Sequence, residues 1–298
     1  MESAFNKRPT PVIGVIAEYD PFHNGHALLP AKAKKALGPG GGSVPVVVTL
    51  SSSFTQRGLP VLADKMARAK MALASGANLV LELPFVHACN SGPEFARGAI
   101  GILAATRLVT HLAFGAEDAS AFSGPLLEKL LNILIQEPLS FKLNLRDNLA
   151  LGCSYPKALA IALESECPGS SFLVSSPNNA LAISYLAEIK RKGYRIVPIP
   201  AQREGGGYND EAAGPLASAT AIRKALSEAG EEGNWPEWIN DAVPPSVMSI
   251  LKEERINGRL CLGTGKLWDL LRGLLVRSTP EALRACDGME EGMENLFL

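Results

Sequence analysis

The chain has 298 residues and a mass of 31.6 kDa, with 47% hydrophobic and 20% charged residues and a formal net charge of −1. That length suits one large domain with an appendage or two modest domains, and the composition reads as a soluble globular protein with no run of 18 apolar residues to span a bilayer. The near-neutral balance excludes capture of a polyanion by the field of the whole molecule, so any nucleic acid must be met by local patches.

In chain order, the opening MESAFNKRPTP lacks the basic-then-apolar pattern of a secretory signal, which makes a cytoplasmic location the expectation. VIGVIA (12–17), VPVVVTL (44–50), NLVLELP (78–84) and HLAFG (111–115) are short apolar runs of the kind buried on both faces of a parallel sheet, and YRIVPIP (194–200) is a fifth. Helical patterns separate them: HALLPAKAKKALG, ADKMARAKMALASG, PEFARGAIGILAAT opening on Pro93, and NNALAISYLAEIKRKG. The expected fold class is α/β, a doubly wound parallel sheet over residues 1–225. From 226 the pattern turns to helical pieces broken by Pro and Gly, so a small helical region is expected over 226–298. Cys89, Cys153, Cys167, Cys261 and Cys286 show no CxxC spacing, which fits reduced thiols and no zinc site.

Three glycine-rich stretches invite comparison with phosphate loops. GPGGGS (38–43) has no GxGxxG before a helix, GTGK (263–266) lacks the Ser or Thr that must follow its Lys, and EGGGYND (204–210) opens no helix; all three read as turns. PFHNGH differs. A strand ends near Ala17, the chain turns through Asp20 and Pro21, and a helix begins around Gly25, so His23 and His26 stand at the carboxyl edge of the sheet, where ligands bind. Free N–H groups at a helix start attract phosphate, Gly25 removes a side chain that would hold a triphosphate away, and two imidazoles can donate to phosphoryl oxygens as charge builds. His23 and His26 are therefore the expected catalytic residues. As a first-turn surface residue, His26 is expected to be replaceable by Ala without loss of the fold.

PFHNGH resembles the signature of the HxGH nucleotidyltransferase superfamily. The ordered set SSSFTQRGLPVLADKMARAKMALASGANLVLELPF, EFARGA, FGAE, SYPKALAIA, PNNALAISYL and ASATAIR resembles the tRNA(Met) cytidine acetate ligase family over residues 12–298. The resemblance implies a two-step reaction: acetate attacks the α-phosphate of ATP, and the acetyl group then passes from acetyl-adenylate to the exocyclic amine of the wobble cytidine of elongator tRNA(Met). It also implies a nucleotide-contacting stretch comprising Ile16, Ala17, Glu18, Tyr19, Asp20, Pro21, Phe22, His23, Asn24, Gly25, His26, Ala27, Leu28 and Leu29, with Gly115 letting adenosine approach the backbone and Asn178 and Arg203 completing the ATP site. Read from sequence alone, Asn178 is a helix N-cap and Arg203 a solvated loop charge.

Ser218, Thr220 and Arg223 in SATAIR offer a second phosphate grip at a helix start, or an ordinary Ser/Thr cap. Arg57 and Lys65 flank the loop after the second strand, placed to meet pyrophosphate or RNA. Candidate RNA patches are Lys32, Lys34 and Lys35; Lys65, Arg68 and Lys70; and Lys190, Arg191, Lys192 and Arg195. Mg2+ is expected to accompany ATP, with no all-protein metal cage. The oligomeric state is not legible. The sequence departs from the family pattern at Leu29, where a third histidine is usual, at Ser52, Ala116 and Asn209, and in the basic stretch that usually follows the counterpart of EGMENLFL. Two alternatives stay open: an adenylyltransferase acting on a small phosphorylated metabolite, which would share HxGH and the sheet, and a non-catalytic nucleotide or tRNA binder, to which Leu29 and the missing basic stretch point.

Overall fold

Each of the five apolar runs becomes a strand of one parallel sheet. β1 (Ile13–Ala17), β2 (Val46–Ser51), β3 (Leu79–Leu83), β4 (His111–Ala116) and β5 (Val197–Gln202) stand in the order β3-β2-β1-β4-β5. This computed structural model describes residues 10–203, 213–230, 232–286, 289 and 292–297. Register is set by apolar pairs: Val15 lies beside Val48 on one flank and Ala113 on the other, and Ala113 beside Ile199. All six residues of β2 are buried, as a strand covered by helices on both faces requires. Pro198 and Pro200, which lack an N–H for the ladder, fall in β5 at a sheet edge.

Helices α1 (Asn24–Ala36), α2 (Lys65–Ala74), α3 (Phe85–Ala88) and α4 (Gly92–Ala105) connect the first four strands. Between β4 and β5 lie α5 (Pro125–Gln136), α6 (Leu139–Ala150), α7 (Tyr155–Glu166) and α8 (Pro177–Lys192). α8 opens on Pro177 behind the N-cap Ser176 and ends at Gly193, whose φ of 64° is one that glycine adopts without strain. The core runs from Val47, Leu83 and Leu112 of the sheet through Phe95, Ala99 and Leu103 of α4 to Leu130 of α5, Leu163 of α7 and Ile183 of α8. α9 (Ala219–Ala229), α10 (Trp238–Ala242) and α11 (Pro245–Ile256) follow β5.

The chain divides into two compact units, Met1–Leu260 and Cys261–Leu298. The sequence reading set its boundary at 225/226, but Ile222, Leu226, Ile239, Val247 and Leu251 are buried, and α11 packs on α2, so α9 to α11 belong to the first unit. The second unit holds α12 (Gly265–Arg277) and α13 (Pro280–Arg284), with Arg284 donating to Glu294 at 2.8 Å.

Sheet order reverses between β1 and β4, and ligands of open α/β sheets bind in the crevice outside the carboxyl ends of strands at such a point. The β1–α1 turn ends there.

Candidate active site

A cavity of about 990 Å³ opens at this edge, bounded by the β1–α1 turn, the ends of β4 and β5, and the starts of α8 and α9. That is the upper end of the roughly 300–1,000 Å³ usual for small-molecule sites.

The turn holds its shape through the chain itself. Asp20 is 4% exposed; its Oδ1 accepts the Leu62 N–H at 2.6 Å, and its carbonyl accepts Arg223 Nη1 at 2.6 Å. Tyr19 sits at φ 49°, a left-handed conformation that costs an aromatic residue on the order of 1–3 kcal/mol and clusters at functional sites. Its ring meets Phe22 at 4.7 Å and His26 at 4.9 Å.

His23 is the N-cap of α1, and its N–H donates to Nδ1 of His26 at 3.3 Å. An accepting Nδ1 leaves the ring proton of His26 on Nε2. The two rings stack with centroids 3.7 Å apart. Gly25 explains how they fit: a Cβ there would lie 2.8 Å from Cε1 and 3.0 Å from Nδ1 of His23, so glycine makes room for the histidine itself. Burial, then the positive charge of Arg203 and Arg223, lowers the His23 pKa to about 4. Burial, then His23 and Arg203, takes His26 well below its ordinary 6.5. Both imidazoles are neutral near pH 7. His26, packed against Tyr19, Phe22 and His23, is not the lightly packed surface residue that its position in the first helical turn suggests.

Two polar atoms at the cavity wall are buried with no partner among the described residues: Nδ1 of His23 and Nδ2 of Asn178. Asn178 is not the N-cap expected from sequence, because Ser176 accepts the Asn179 N–H at 3.3 Å and does that work. Arg203 lines the cavity beside Gly115: a Cβ on Gly115 would meet Arg203 Cγ at 3.3 Å, so this glycine makes room for the arginine stem. Arg223 donates to Thr220 Oγ1 at 3.1 Å and stands 3.5 Å from Asp20 Oδ2; Ser218 caps α9, accepting the Ala221 N–H at 3.1 Å. Cap and cavity wall are one and the same in SATAIR, since Ser218, Thr220 and Arg223 all line the space.

Of the expected nucleotide stretch, Ile16, Ala17, Glu18, Tyr19, Asp20, His23, Gly25, His26, Leu28 and Leu29 reach the cavity, as do Gly115, Asn178, Arg203 and Arg57. Pro21, Phe22, Asn24 and Ala27 do not line it. Phe22 is 3% exposed, and Asn24 Nδ2 donates to Pro215 O at 3.0 Å and Asp241 O at 2.7 Å, tying α1 to the segment before α9 and to α10.

Lys65 is also elsewhere, paired with Glu82 at 2.7 Å. Arg68, placed by the sequence reading in an RNA patch, is fully buried: it donates to Ala63 O at 3.0 Å, Ser51 O at 2.9 Å, Glu18 O and Ser52 O. Lys32 donates to Gln202 O and lines the cavity, Lys190 pairs with Glu128, and Arg191 with Glu188 at 2.9 Å. Lys34 is half-buried, and Lys35, Lys70, Lys192 and Arg195 are exposed. EGGGYND, with Asn209, lies outside the described residues. Gln56 and Tyr185 were missed by the sequence reading; both line the cavity beside Glu18. Only the position of Gln56 next to Arg57 in the QRG element hinted at the first.

A doubly wound sheet with an HxGH turn at its switch point and an open cavity above defines a nucleotidyltransferase-type site. The family model described as HIGH Nucleotidyl Transferase matches residues 10–298. The chain is 37% identical to the tRNA(Met) cytidine acetate ligase of Syntrophomonas wolfei over 287 residues, which is 95% of this chain and 66% of that protein. Its counterpart in Caldicellulosiruptor saccharolyticus is 38% identical over 289 residues, 95% and 67% of the two chains. Among solved structures, Thermotoga maritima TmcAL superposes with a TM-score of 0.84 in an apo form, at 31% identity over 96% of this chain and 67% of that one. A form bound with alpha-thio ATP gives 0.80 at 29% identity, over 96% and 66%. The chain belongs to the HIGH nucleotidyl transferase family and, within it, to the family of tRNA(Met) cytidine acetate ligases. It spans about two thirds of the length of these relatives.

Among the described residues no group of His, Cys, Asp and Glu is gathered to hold a metal ion, and no helix is long and apolar enough to cross a membrane.

Proposed function

We propose that this chain binds ATP in the cavity at the β1–α1 turn, uses it to activate acetate as acetyl-adenylate, and transfers the acetyl group to the exocyclic amine of the wobble cytidine of elongator tRNA(Met). The observation that carries this reading is the pair of orphaned polar atoms, His23 Nδ1 and Asn178 Nδ2, at the wall of a cavity that also holds Arg203 and Arg223. Buried polar groups are partnered in native proteins, and those left open facing a cationic pocket call for an anionic, hydrogen-bonding ligand. The relatives named for this activity, and the TmcAL structure bound with alpha-thio ATP, support the choice of ligand.

Acetate oxygen attacks the α-phosphorus, and pyrophosphate leaves. The charge that builds on the phosphoryl oxygens needs donors already in place. His26 supplies Nε2–H, fixed by the bond that its Nδ1 accepts. The guanidinium groups of Arg203 and Arg223 bring the positive charge that the neutral imidazoles do not. Mg2+ accompanying ATP would neutralise phosphate charge and would be held by phosphate oxygens and water rather than by a cage of protein ligands. For the tRNA, Lys35, Lys70, Lys192 and Arg195 are the exposed members of the candidate patches and would meet phosphates.

The test is acetate-dependent release of pyrophosphate from ATP by the purified 298-residue chain, together with mass spectrometry of nucleosides from methionine tRNA incubated with it. Pyrophosphate and acetylcytidine are expected together. Adenylylation of a phosphorylated metabolite, or ATP binding with no turnover on any acceptor, would replace this reading with one of its two alternatives.

A further inference from the structure

The cavity has two sides, set by the sheet. Gly115, Gln202 and Arg203 line it on the β4 and β5 side of β1, whereas Gln56 and Arg57, from the loop after β2, and Gly92 and Phe95 of α4 line it on the other. The family resemblance implies the nucleoside on the first side, next to Gly115 and Arg203. The second reactant therefore approaches from the side of β2 and α4, and a volume of about 990 Å³ leaves room for it.

Glu18 stands on that second side, as the first residue after β1. Oε1 accepts the Gln56 N–H at 2.7 Å, which fixes the carboxyl group in place. Oε2 makes no hydrogen bond, and no ion pair neutralises the group among the described residues. The two nearby arginines are committed elsewhere: Arg68 donates to the Glu18 main-chain oxygen and other carbonyls, and Arg223 to Asp20 and Thr220. A partly buried carboxylate held by one oxygen, with the other unpartnered beside an open cavity, is an expensive arrangement for structure alone.

We propose that Glu18 is the proton acceptor of the acetyl-transfer step. This rests on the ligase reading given above. The cytidine amine attacks the carbonyl carbon of acetyl-adenylate; the C–N bond forms, the bond from that carbon to the phosphate oxygen breaks, and AMP leaves with the electron pair. The nitrogen, which would otherwise become cationic, passes its proton to Oε2 of Glu18. His26 cannot take it, because its Nδ1 is occupied and its Nε2 already carries a proton. Acetate activation moves no proton from its nucleophile, so the two half-reactions depend on Glu18 differently. Supporting the assignment, burial raises the Glu18 pKa above its ordinary value, the Gln56 N–H opposes the rise, Asp20 adds to it, and Arg223 and Arg68 oppose it. Tyr185, on the α8 side, is pushed up and stays neutral.

The experiment separates the half-reactions in the full chain. Pyrophosphate release is measured with ATP and acetate, and acetyl transfer is measured in a single turnover from synthetic acetyl-adenylate to a methionine tRNA transcript, each from pH 4, below the ordinary carboxylate value, to pH 9. Glu18→Gln is expected to slow transfer on the order of a hundredfold more than it slows activation, in the range for loss of a general base. Wild-type transfer should rise with pH as the carboxylate forms, and that limb should vanish in the variant. Equal losses in both half-reactions, or wild-type transfer that is flat with pH, would overturn the assignment while leaving the ligase reading intact; the pH arm needs no variant and so holds even if Glu18→Gln folds poorly. A wild-type chain that releases no pyrophosphate with acetate removes the ligase reading itself, and this inference with it.

Discussion

Helices α1 and α2 both begin at the carboxyl edge of the sheet, one after β1 and the other after β2, and both carry a basic residue set that invites a phosphate-binding reading. The chain treats the two edges in opposite ways. At α2, Asp64 accepts the Ala67 N–H at 2.7 Å and Arg68 turns inward to bind main-chain carbonyls of the β1 and β2 ends, so the edge is filled by the protein. At α1 there is no acidic residue in the first turn, the cap is a histidine whose Nδ1 has no partner, and the surface opens into the cavity. A helix start becomes a ligand site when the chain leaves its polar groups unanswered, and the motif alone does not say whether it has.

The strongest way to break this contrast is to empty the filled edge. Arg68→Met should cost on the order of 4 kcal/mol in urea unfolding, because several buried carbonyls lose their donor at about 1–3 kcal/mol each. A loss below about 1 kcal/mol would mean that the guanidinium is dispensable there. The matching change at the open edge, His26→Ala, should lower pyrophosphate release by about a hundredfold to a thousandfold, the usual effect of removing one aligned donor. Some stability goes with it, since the ring packs on Tyr19 and Phe22. Wild-type turnover in that variant would remove His26 from the mechanism.

Acid sharpens the contrast next. His23 titrates near 4 in the folded chain against about 6.5 unfolded, so the unfolded state takes up the proton first as pH falls. The stabilisation is whole above 6.5, declines from there to 4 and is gone below, amounting to at most about 3 kcal/mol. His23→Gln should lessen the slope of this window in thermal melts between pH 4 and 7, with His26 keeping part of it, and an unchanged slope would place the acid sensitivity elsewhere. Gly25→Ala is smaller and divides two effects. Alanine is the better helix former by up to about 1 kcal/mol, yet its Cβ displaces the His23 ring. Turnover should fall about tenfold with little change in melting temperature; equal falls in both would show that the glycine serves the backbone rather than the ring.

Sheet and motif were legible because each rests on local pattern. Five short apolar runs separated by 3.6-residue periodicity leave few alternatives, and HxGH at a strand-to-helix turn carries its chemistry in four residues. The rest depends on partners far along the chain. Arg68 reads as one more lysine-like charge on a wet helix face until the carbonyls of Ser51 and Ser52 are seen around it. Asn178 reads as a cap until Ser176 takes the role, and Asp20 finds Arg223 only because the first unit brings α9 back over the β1–α1 turn. Residues 117–176 drew no strand or helix assignment from the sequence reading beyond the SYPKALAIA motif, although α5, with Leu127, Leu130, Leu131 and Ile133 buried along one face, is an ordinary amphipathic helix.

The smallest predicted effect tests the rim between the two edges. Lys65 opens α2 and was read from sequence as a contact for pyrophosphate or RNA; in the structure its Nζ reaches both carboxylate oxygens of Glu82, at 2.8 and 2.7 Å, with both side chains close to half exposed. An exposed pair of this kind contributes less than about 1 kcal/mol, and salt screens it further. Lys65→Ala should therefore shift urea unfolding by a few tenths of a kcal/mol and leave the Michaelis constant for ATP unchanged. If that constant instead rose tenfold, Lys65 would have to leave Glu82 and reach the nucleotide, and the edge at α2 would be open in the working enzyme in a way that Asp64 and Arg68 argue against.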